Sequence, residues 1–133
     1  MGNEILVSSD LNQEMIDAGK SLLENLDKKN ASINSAMWFY ISEDEEWKLL
    51  LTSKLITNKG PKYLYTLIDS INSKIEKQIP LNFILISSPE NPLIKTLCTA
   101  ISTGNGISGI RFSKNYINGQ MIEDSYIYRM TTP

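Results

Sequence analysis

A short turn near the C-terminus constrains the fold of this chain more than any other sequence feature. Asn118 and Gly119 separate two β-type segments, and Asn-Gly between such segments is the strongest short-range signal for a two-residue hairpin turn. We therefore predict a C-terminal β-hairpin over residues 109–130. Because the turn type fixes the register of a hairpin, Arg111 is expected opposite Tyr126.

This register gives the hairpin two different faces. The apolar face suits packing under helices and carries Ile110, Phe112, Ser125 and Ile127. The opposite face is polar and aromatic and carries Arg111, Ser113, Asp124, Tyr126 and Tyr128. Asp124 is a diagonal neighbour of Arg111, within reach of its guanidinium group. The second face is therefore a candidate recognition surface.

Upstream of the hairpin, segments with helical and strand periodicity alternate. The predicted elements are a helix over about 10–28 with Asp10 as N-cap, strands at 36–42 and 46–56, a helix from Pro61, a strand at 81–87, and a helix from Pro92 with Asn91 as N-cap. The order α-β-β-α-β-α-β-β predicts an α/β (α+β) single-domain sandwich. It has three helices and a mixed, mainly antiparallel five-stranded sheet. The nearly continuous apolar run 81–87 predicts a central strand.

Size and composition agree with one domain. The chain has 133 residues, of which 41% are hydrophobic and 21% charged, so residues 1–133 are expected to form one globular unit, with 1–9 as an N-terminal tail. No apolar run approaches the ~20 residues of a membrane span. The single Cys98 cannot form an internal disulfide, so a cytoplasmic location is expected.

The residue types exclude much catalytic chemistry. Histidine is absent, which excludes His-based triads, general bases and metal ligands. The carboxylates are scattered over different elements, and the acidic run 43–46 is typical of a solvated hairpin tip. We therefore assign no catalytic residue, no metal site and no cofactor. A metal-dependent nuclease or small-molecule hydrolase that works without His is the enzymatic alternative.

The leading functional hypothesis is a small binding or adaptor domain. A formal net charge of -2 disfavours nucleic-acid binding, so the expected partner is a protein or a second copy of the chain, giving a homo-oligomer. Tyr and Arg are enriched at interface hot spots, as is Trp. The candidate interface residues are Arg111, Asp124, Tyr126 and Tyr128, joined by Trp38 and Tyr40 if these two share the same face of the sheet, which the sequence leaves open.

A third hypothesis concerns Arg129, which the register places on the apolar side of the hairpin, beside the loop 102–109. It could hold carbonyl groups at the end of the third helix, where Gly104 or Gly106 could adopt the left-handed conformation of a helix C-terminus. Alternatively, the protein is a nucleotide or anion sensor. That site would consist of Arg129, Thr103, Gly104, Asn105 and Gly106.

Overall fold

A computed structural model describes residues 4–131. Three helices accompany a mixed five-stranded sheet and a separate two-stranded sheet, which confirms the predicted α+β fold. The elements are α1 (Gln13–Lys28), β1 (Ile33–Ile41), β2 (Glu46–Ser53), α2 (Leu55–Asn72), β3 (Ile84–Ser87), α3 (Pro92–Ala100), β4 (Ile110–Phe112), β5 (Asn115–Ile117), β6 (Gln120–Ile122) and β7 (Ser125–Met130). None of the helices in this part of the chain is long and apolar enough to cross a membrane.

The main sheet has the strand order β3-β2-β1-β7-β4. β1 lies at its centre and pairs antiparallel with β2 and β7, whereas β3 pairs parallel with β2 at one edge. The prediction that residues 81–87 form a central strand is therefore wrong. Ile84 and Ile86 pack against the core, but Leu85 is 36% exposed, so the apolar run does not reflect burial on both faces.

The helices cover both faces of the sheet. Residues of α1 and α2 join β1, β2 and β7 in the larger hydrophobic cluster, while α3 packs on the opposite face in a second cluster. Both clusters are closely packed, since most of their residues are less than 5% exposed. The molecule is therefore a three-layer α/β/α sandwich with one sheet in the middle.

Two helix starts test the predicted caps. Asn91 is the N-cap of α3, with Pro92 at its first position, as predicted. α1 starts later than predicted, because its N-cap is Asn12 and not Asp10. The Asn12 Oδ1 atom accepts a 3.0 Å hydrogen bond from the Met15 amide. Asp10 is thereby left outside the helix.

The C-terminal hairpin has the predicted register. Ile117 lies opposite Gln120, and Arg111 lies opposite Tyr126. The turn residues Asn118 and Gly119 have φ angles of 50° and 78°, and positive values at both positions define a type I′ turn. The two strands are each interrupted, however, which the sequence pattern did not predict.

The interruption divides the hairpin between two sheets. β4 and β7 extend the main sheet, whereas β5 and β6 form the separate two-stranded sheet, which contacts α3. At the junction, the Lys114 amide donates a 2.8 Å hydrogen bond to the Asp124 side chain, and the Ser125 hydroxyl donates to the Glu123 carbonyl oxygen. These side-chain bonds take the place of ladder bonds, so the outer half can leave the plane of the main sheet.

The N-terminal residues 4–9 were predicted to be a tail, but the structure places them against the domain. Ile5 is 7% exposed and belongs to the larger core cluster. Its amide donates a 2.8 Å hydrogen bond to the carbonyl oxygen of Gln78. The remainder of the predicted tail, residues 1–3, lies outside the described residues, as do 132 and 133.

Candidate functional site

A β-bulge in β7 decides which way the predicted site residues point. Ala36 of β1 pairs with Arg129, but the next residue, Met37, pairs with Ile127. Tyr128 is therefore an extra residue in β7, and the alternation of faces is shifted by one position beyond it. Both Tyr128 and Arg129 bond to α1, which corrects the prediction that they lie on opposite faces.

Trp38 and Tyr128 belong to the core and not to an open surface. They are 0% and 1% exposed, respectively, because α1 covers this part of the sheet. The Trp38 indole N–H donates to the Met15 carbonyl oxygen and to the Tyr128 hydroxyl, both at 3.1 Å. The Tyr128 hydroxyl donates to the Ile16 carbonyl oxygen at 2.6 Å, and burial raises the pKa of this hydroxyl. These two candidate interface residues therefore link the sheet to α1.

Tyr126 occupies an intermediate position. It is half-buried, and its ring packs edge-on against Tyr128 with 5.3 Å between the ring centroids. Trp38, Tyr40, Tyr126 and Tyr128 lie on one face of the sheet, since all four belong to or pack against the larger core cluster. Only the outer part of this face is accessible.

The accessible part forms a cleft of about 280 Å³, which we call the Arg111 cleft. It brings together three of the predicted interface residues, Tyr40, Arg111 and Asp124. Its full lining is Ser9, Asp10, Leu11, Tyr40, Trp47, Arg111 and Asp124. Strands β1, β2 and β4 and the two segments that precede α1 and β7 thus converge on one concave site.

Arg111 is held in the cleft by two contacts of different kinds. Its guanidinium carbon lies 5.4 Å from the centroid of the Trp47 ring, which is a cation–π distance. One of its terminal nitrogens is 3.9 Å from the Asp124 carboxylate, and the arginine side chain is 49% exposed. An ion pair this long and exposed contributes at most about 1 kcal/mol to stability. The contacts orient the guanidinium while leaving its N–H donors accessible.

Trp47 lines the cleft but was not among the residues predicted from the sequence. It is 3% exposed, and its indole N–H donates a 3.1 Å hydrogen bond to the Ser9 carbonyl oxygen. Its ring lies 5.6 Å from that of Tyr40, its direct cross-strand partner. A register worked out for the acidic turn between β1 and β2 would have placed these two rings side by side.

The end of the sheet at which the Arg111 cleft lies is rich in carboxylates, and two of them, Asp10 and Asp124, line the cleft. The acidic turn joins the end of β1 to the start of β2, where Ile41 pairs with Glu46. Glu123 approaches the same end, because its carboxylate accepts a 2.8 Å hydrogen bond from the Ser42 hydroxyl. We call this end of the sheet the acidic end; its carboxylates are Asp10, Glu43, Asp44, Glu45, Glu46, Glu123 and Asp124.

Arg129 lies at the other end of the sheet, and Asp27 occupies its guanidinium group. The two terminal nitrogens donate to the Asp27 carboxylate at 3.0 and 2.8 Å, and one of them also donates to the Ile33 carbonyl oxygen at 3.1 Å. The Nε–H group donates to the Gly106 carbonyl oxygen at 3.1 Å. The side chain is 5% exposed. Arg129 thus connects α1, β1 and the loop 102–109, and the two carbonyl groups that it holds belong to Ile33 and Gly106 and not to the end of α3.

The loop 102–109, to which the anion-site hypothesis assigns Thr103, Gly104, Asn105 and Gly106, is hydrogen-bonded to the end of β7. The Thr103 amide donates to the Met130 carbonyl oxygen, and Gly104 and Gly106 do not have the left-handed conformation. α3 instead ends at Ile101, which is extended. Of the loop residues, only Asn105 lines a cavity together with Arg129.

The remaining candidate chemistry concerns carboxylates and Cys98. Among residues 4–131, no three carboxylate or thiol side chains are grouped so that they could hold a metal ion. Cys98 is half-buried on α3, and burial raises the pKa of its thiol. A raised pKa lowers the thiolate fraction at neutral pH, which makes this thiol less nucleophilic.

Comparisons with protein-family models, with curated proteins and with solved structures found no match to this chain.

Proposed function

We propose that the protein is a small cytoplasmic binding or adaptor module that docks a protein partner at the Arg111 cleft. One observation carries the proposal: a half-exposed guanidinium is held against a buried Trp47 ring inside a polar-aromatic concave site. Arg and aromatic residues in such settings dominate the binding energy of many protein interfaces. Because Trp47 and Asp124 already orient Arg111, less side-chain entropy is lost on binding.

The acidic end indicates the chemistry of the partner. Within residues 4–131, two carboxylates, Asp10 and Asp124, line the cleft with the single cation Arg111, and the acidic turn lies at the same end of the sheet. A partner surface rich in Lys and Arg would complement this charge and associate faster. Nucleic acid would be repelled by it.

The same charge distribution favours a different protein over a second copy of this chain. In a twofold-symmetric dimer, one surface patch faces an identical patch. Two acidic ends would then oppose one another, which is unfavourable. We therefore expect the protein to be monomeric by light scattering until its basic partner is added.

Substitution of Arg111 tests the proposal. We expect Arg111→Ala to reduce at least tenfold the recovery of a specific partner in a quantitative pull-down from the native host. Truncation of an interface hot spot costs about 2 kcal/mol or more, which corresponds to that loss. The folded state should be nearly unaffected, because the Arg111–Asp124 pair is exposed.

Lys62→Ala is the matched control, since it removes one positive charge from an exposed position on α2, outside the cleft. It should recover the partner as the unaltered protein does. Recovery that is equal with Arg111→Ala and with the control would refute the role of the cleft. Light scattering on both variants should give the same mass as the unaltered protein. If the unaltered protein self-associates and only Arg111→Ala loses this self-association, the partner at the cleft is a second copy of the chain and not a basic protein.

A further inference from the structure

A second concave site lies at the end of the sheet opposite the acidic end. It has a volume of about 340 Å³ and is formed by the α1–β1 connection, the start of α2, the loop 102–109 and the residues at the end of β7. We call it the Lys54 cavity; its lining is Asp27, Asn30, Ser32, Ile33, Asn34, Lys54, Asn105, Arg129 and Thr131. Apart from Ile33, every lining residue is polar or charged, and none is aromatic.

Hydrogen bonds fix the wall of the Lys54 cavity. The Asn34 side-chain oxygen accepts from the Lys54 amide at 3.1 Å. The Asn34 carbonyl oxygen accepts from both the amide and the hydroxyl of Thr131, at 3.1 and 2.7 Å. On the other side, Asp27 and Arg129 form their bidentate ion pair. The site is therefore shaped before any ligand arrives, which lowers the entropy lost on binding.

The lining offers donors that the protein does not use. Within residues 4–131, the Lys54 ammonium makes no ion pair and no hydrogen bond, and the Asn34 side-chain nitrogen donates to no protein acceptor. Three further polar lining residues, Asn30, Ser32 and Asn105, also make no side-chain hydrogen bond within residues 4–131. These groups approach the cavity from three separate chain segments, a geometry that suits an acceptor with several oxygen atoms.

Among residues 4–131, the side chains that line the Lys54 cavity carry a net positive charge. Asp27 and Arg129 neutralise one another, so Lys54 contributes the remaining charge. Lys28 and Lys29 follow Asp27 directly at the end of α1 and add positive charge nearby. An anion is therefore the ligand that the charges favour, and the lack of an aromatic ring gives a nucleobase nothing to stack on.

We infer that the Lys54 cavity binds a phosphate group, either as inorganic phosphate or as part of a small hydrophilic phosphomonoester. A phosphate presents several acceptor oxygens in a tetrahedral arrangement, and a lysine is a common point charge for it. The volume exceeds that of a lone phosphate, which leaves room for a polyol attached to it. Arg129 acts here as a positioning residue, because Asp27 already takes up its guanidinium.

Titration with two defined ligands tests the inference. Sodium phosphate and glycerol 3-phosphate are added to the full chain at constant ionic strength, with chloride as the compensating anion, and followed by calorimetry and by NMR of the side-chain amides. We expect saturable binding that shifts the side-chain amide signals of Asn34 and Asn105. Tighter binding of glycerol 3-phosphate would identify the phosphomonoester as the ligand, and equal binding would identify phosphate alone.

Variants show whether the binding belongs to this cavity. Lys54→Ala should weaken binding at least tenfold, because it removes a charge-assisted hydrogen bond together with the positive charge of the ammonium group. Asn105→Ala, in an exposed loop, should weaken it severalfold, while Lys62→Ala should bind as the unaltered protein does. Absence of saturable binding to either ligand, or equal binding by Lys54→Ala and Lys62→Ala, would overturn the inference.

Discussion

Gly19 shows how closely α1 is packed on the sheet. A Cβ atom at this position would lie 2.8 Å from the Cζ atom of Tyr128 and 2.9 Å from the indole nitrogen of Trp38. Both rings are buried and hydrogen-bonded to α1, so neither can move aside without losing a bond. The absence of a side chain at Gly19 thus allows two large aromatic residues to fit under the helix.

We predict that Gly19→Ala lowers the free energy of unfolding by about 1–3 kcal/mol, the usual cost of overpacking a core. Urea denaturation followed by circular dichroism measures the change. Gly104→Ala is the control, because a Cβ atom there would have no neighbour within 4 Å. An equal effect of the two substitutions would contradict the steric explanation.

Individual side-chain contacts were only partly predictable from the sequence. The pairing of Arg111 with Asp124 follows from a hairpin register that the Asn118-Gly119 turn fixes locally. The ion pair between Arg129 and Asp27 joins residues 102 positions apart, so no local pattern predicts it. The bulge at Tyr128 was also missed, because the residue types from Tyr126 to Tyr128 alternate as they would in a regular strand.

At the scale of elements, α2 contains a break that its sequence explains. The predicted start at Pro61 marks the point where the helix resumes, whereas the helix as a whole begins at Leu55. Between them, Gly60 has φ 77° and ψ 166°, a conformation that is essentially restricted to glycine. Proline at the next position suits the first turn of the resumed helix.

Replacement of Gly60 isolates the backbone contribution. Gly60→Ala should lower the free energy of unfolding by about 1–3 kcal/mol, although a Cβ atom there would have no neighbour within 4 Å. Lys62→Ala, two residues later, exposed and in helical conformation, should change it by less than about 0.5 kcal/mol. Thermal unfolding of both variants provides the comparison. If Gly60→Ala leaves the free energy of unfolding unchanged, the conformation of Gly60 does not contribute to stability.

The type and sequence order of the elements were predictable, but the order of strands in the sheet was not. Periodicity and turn residues are local signals, and they located all three helices and the turn at Asn118-Gly119. Strand order depends on which edges pair across the whole chain. The exposure of Leu85 in the edge strand β3 illustrates this, because its sequence alone is typical of a central strand.

At the scale of the whole molecule, charge is divided along the strand direction. The Arg111 cleft and the acidic end lie where β1 finishes, and the Lys54 cavity lies where β1 begins. Asn34 lines the Lys54 cavity and Tyr40 lines the Arg111 cleft, and these two residues are six positions apart on β1, which corresponds to about 20 Å. This division could not be predicted from the net charge of the sequence, because the opposite local charges cancel in the sum.

This distance predicts that the two sites act independently. Arg111→Ala should leave phosphate binding unchanged, and Lys54→Ala should leave partner recovery unchanged, since residues far apart without shared contacts contribute additively. Calorimetry and pull-down on the two single variants and the double variant test the expectation. A double variant whose losses differ from the sum of the single losses, expressed as free energies, would show that the two ends are coupled.

The position of β1 has a consequence for the synthesis of the protein. β1 is the central strand, yet one of its two neighbours, β7, is formed by Ser125–Met130, near the other end of the sequence. While the chain grows on the ribosome, one edge of β1 remains unpaired until those residues have emerged. An unpaired strand edge is a template for wrong association. We therefore expect the nascent chain to be open to wrong strand pairing for longer than a fold whose central strand has only early partners.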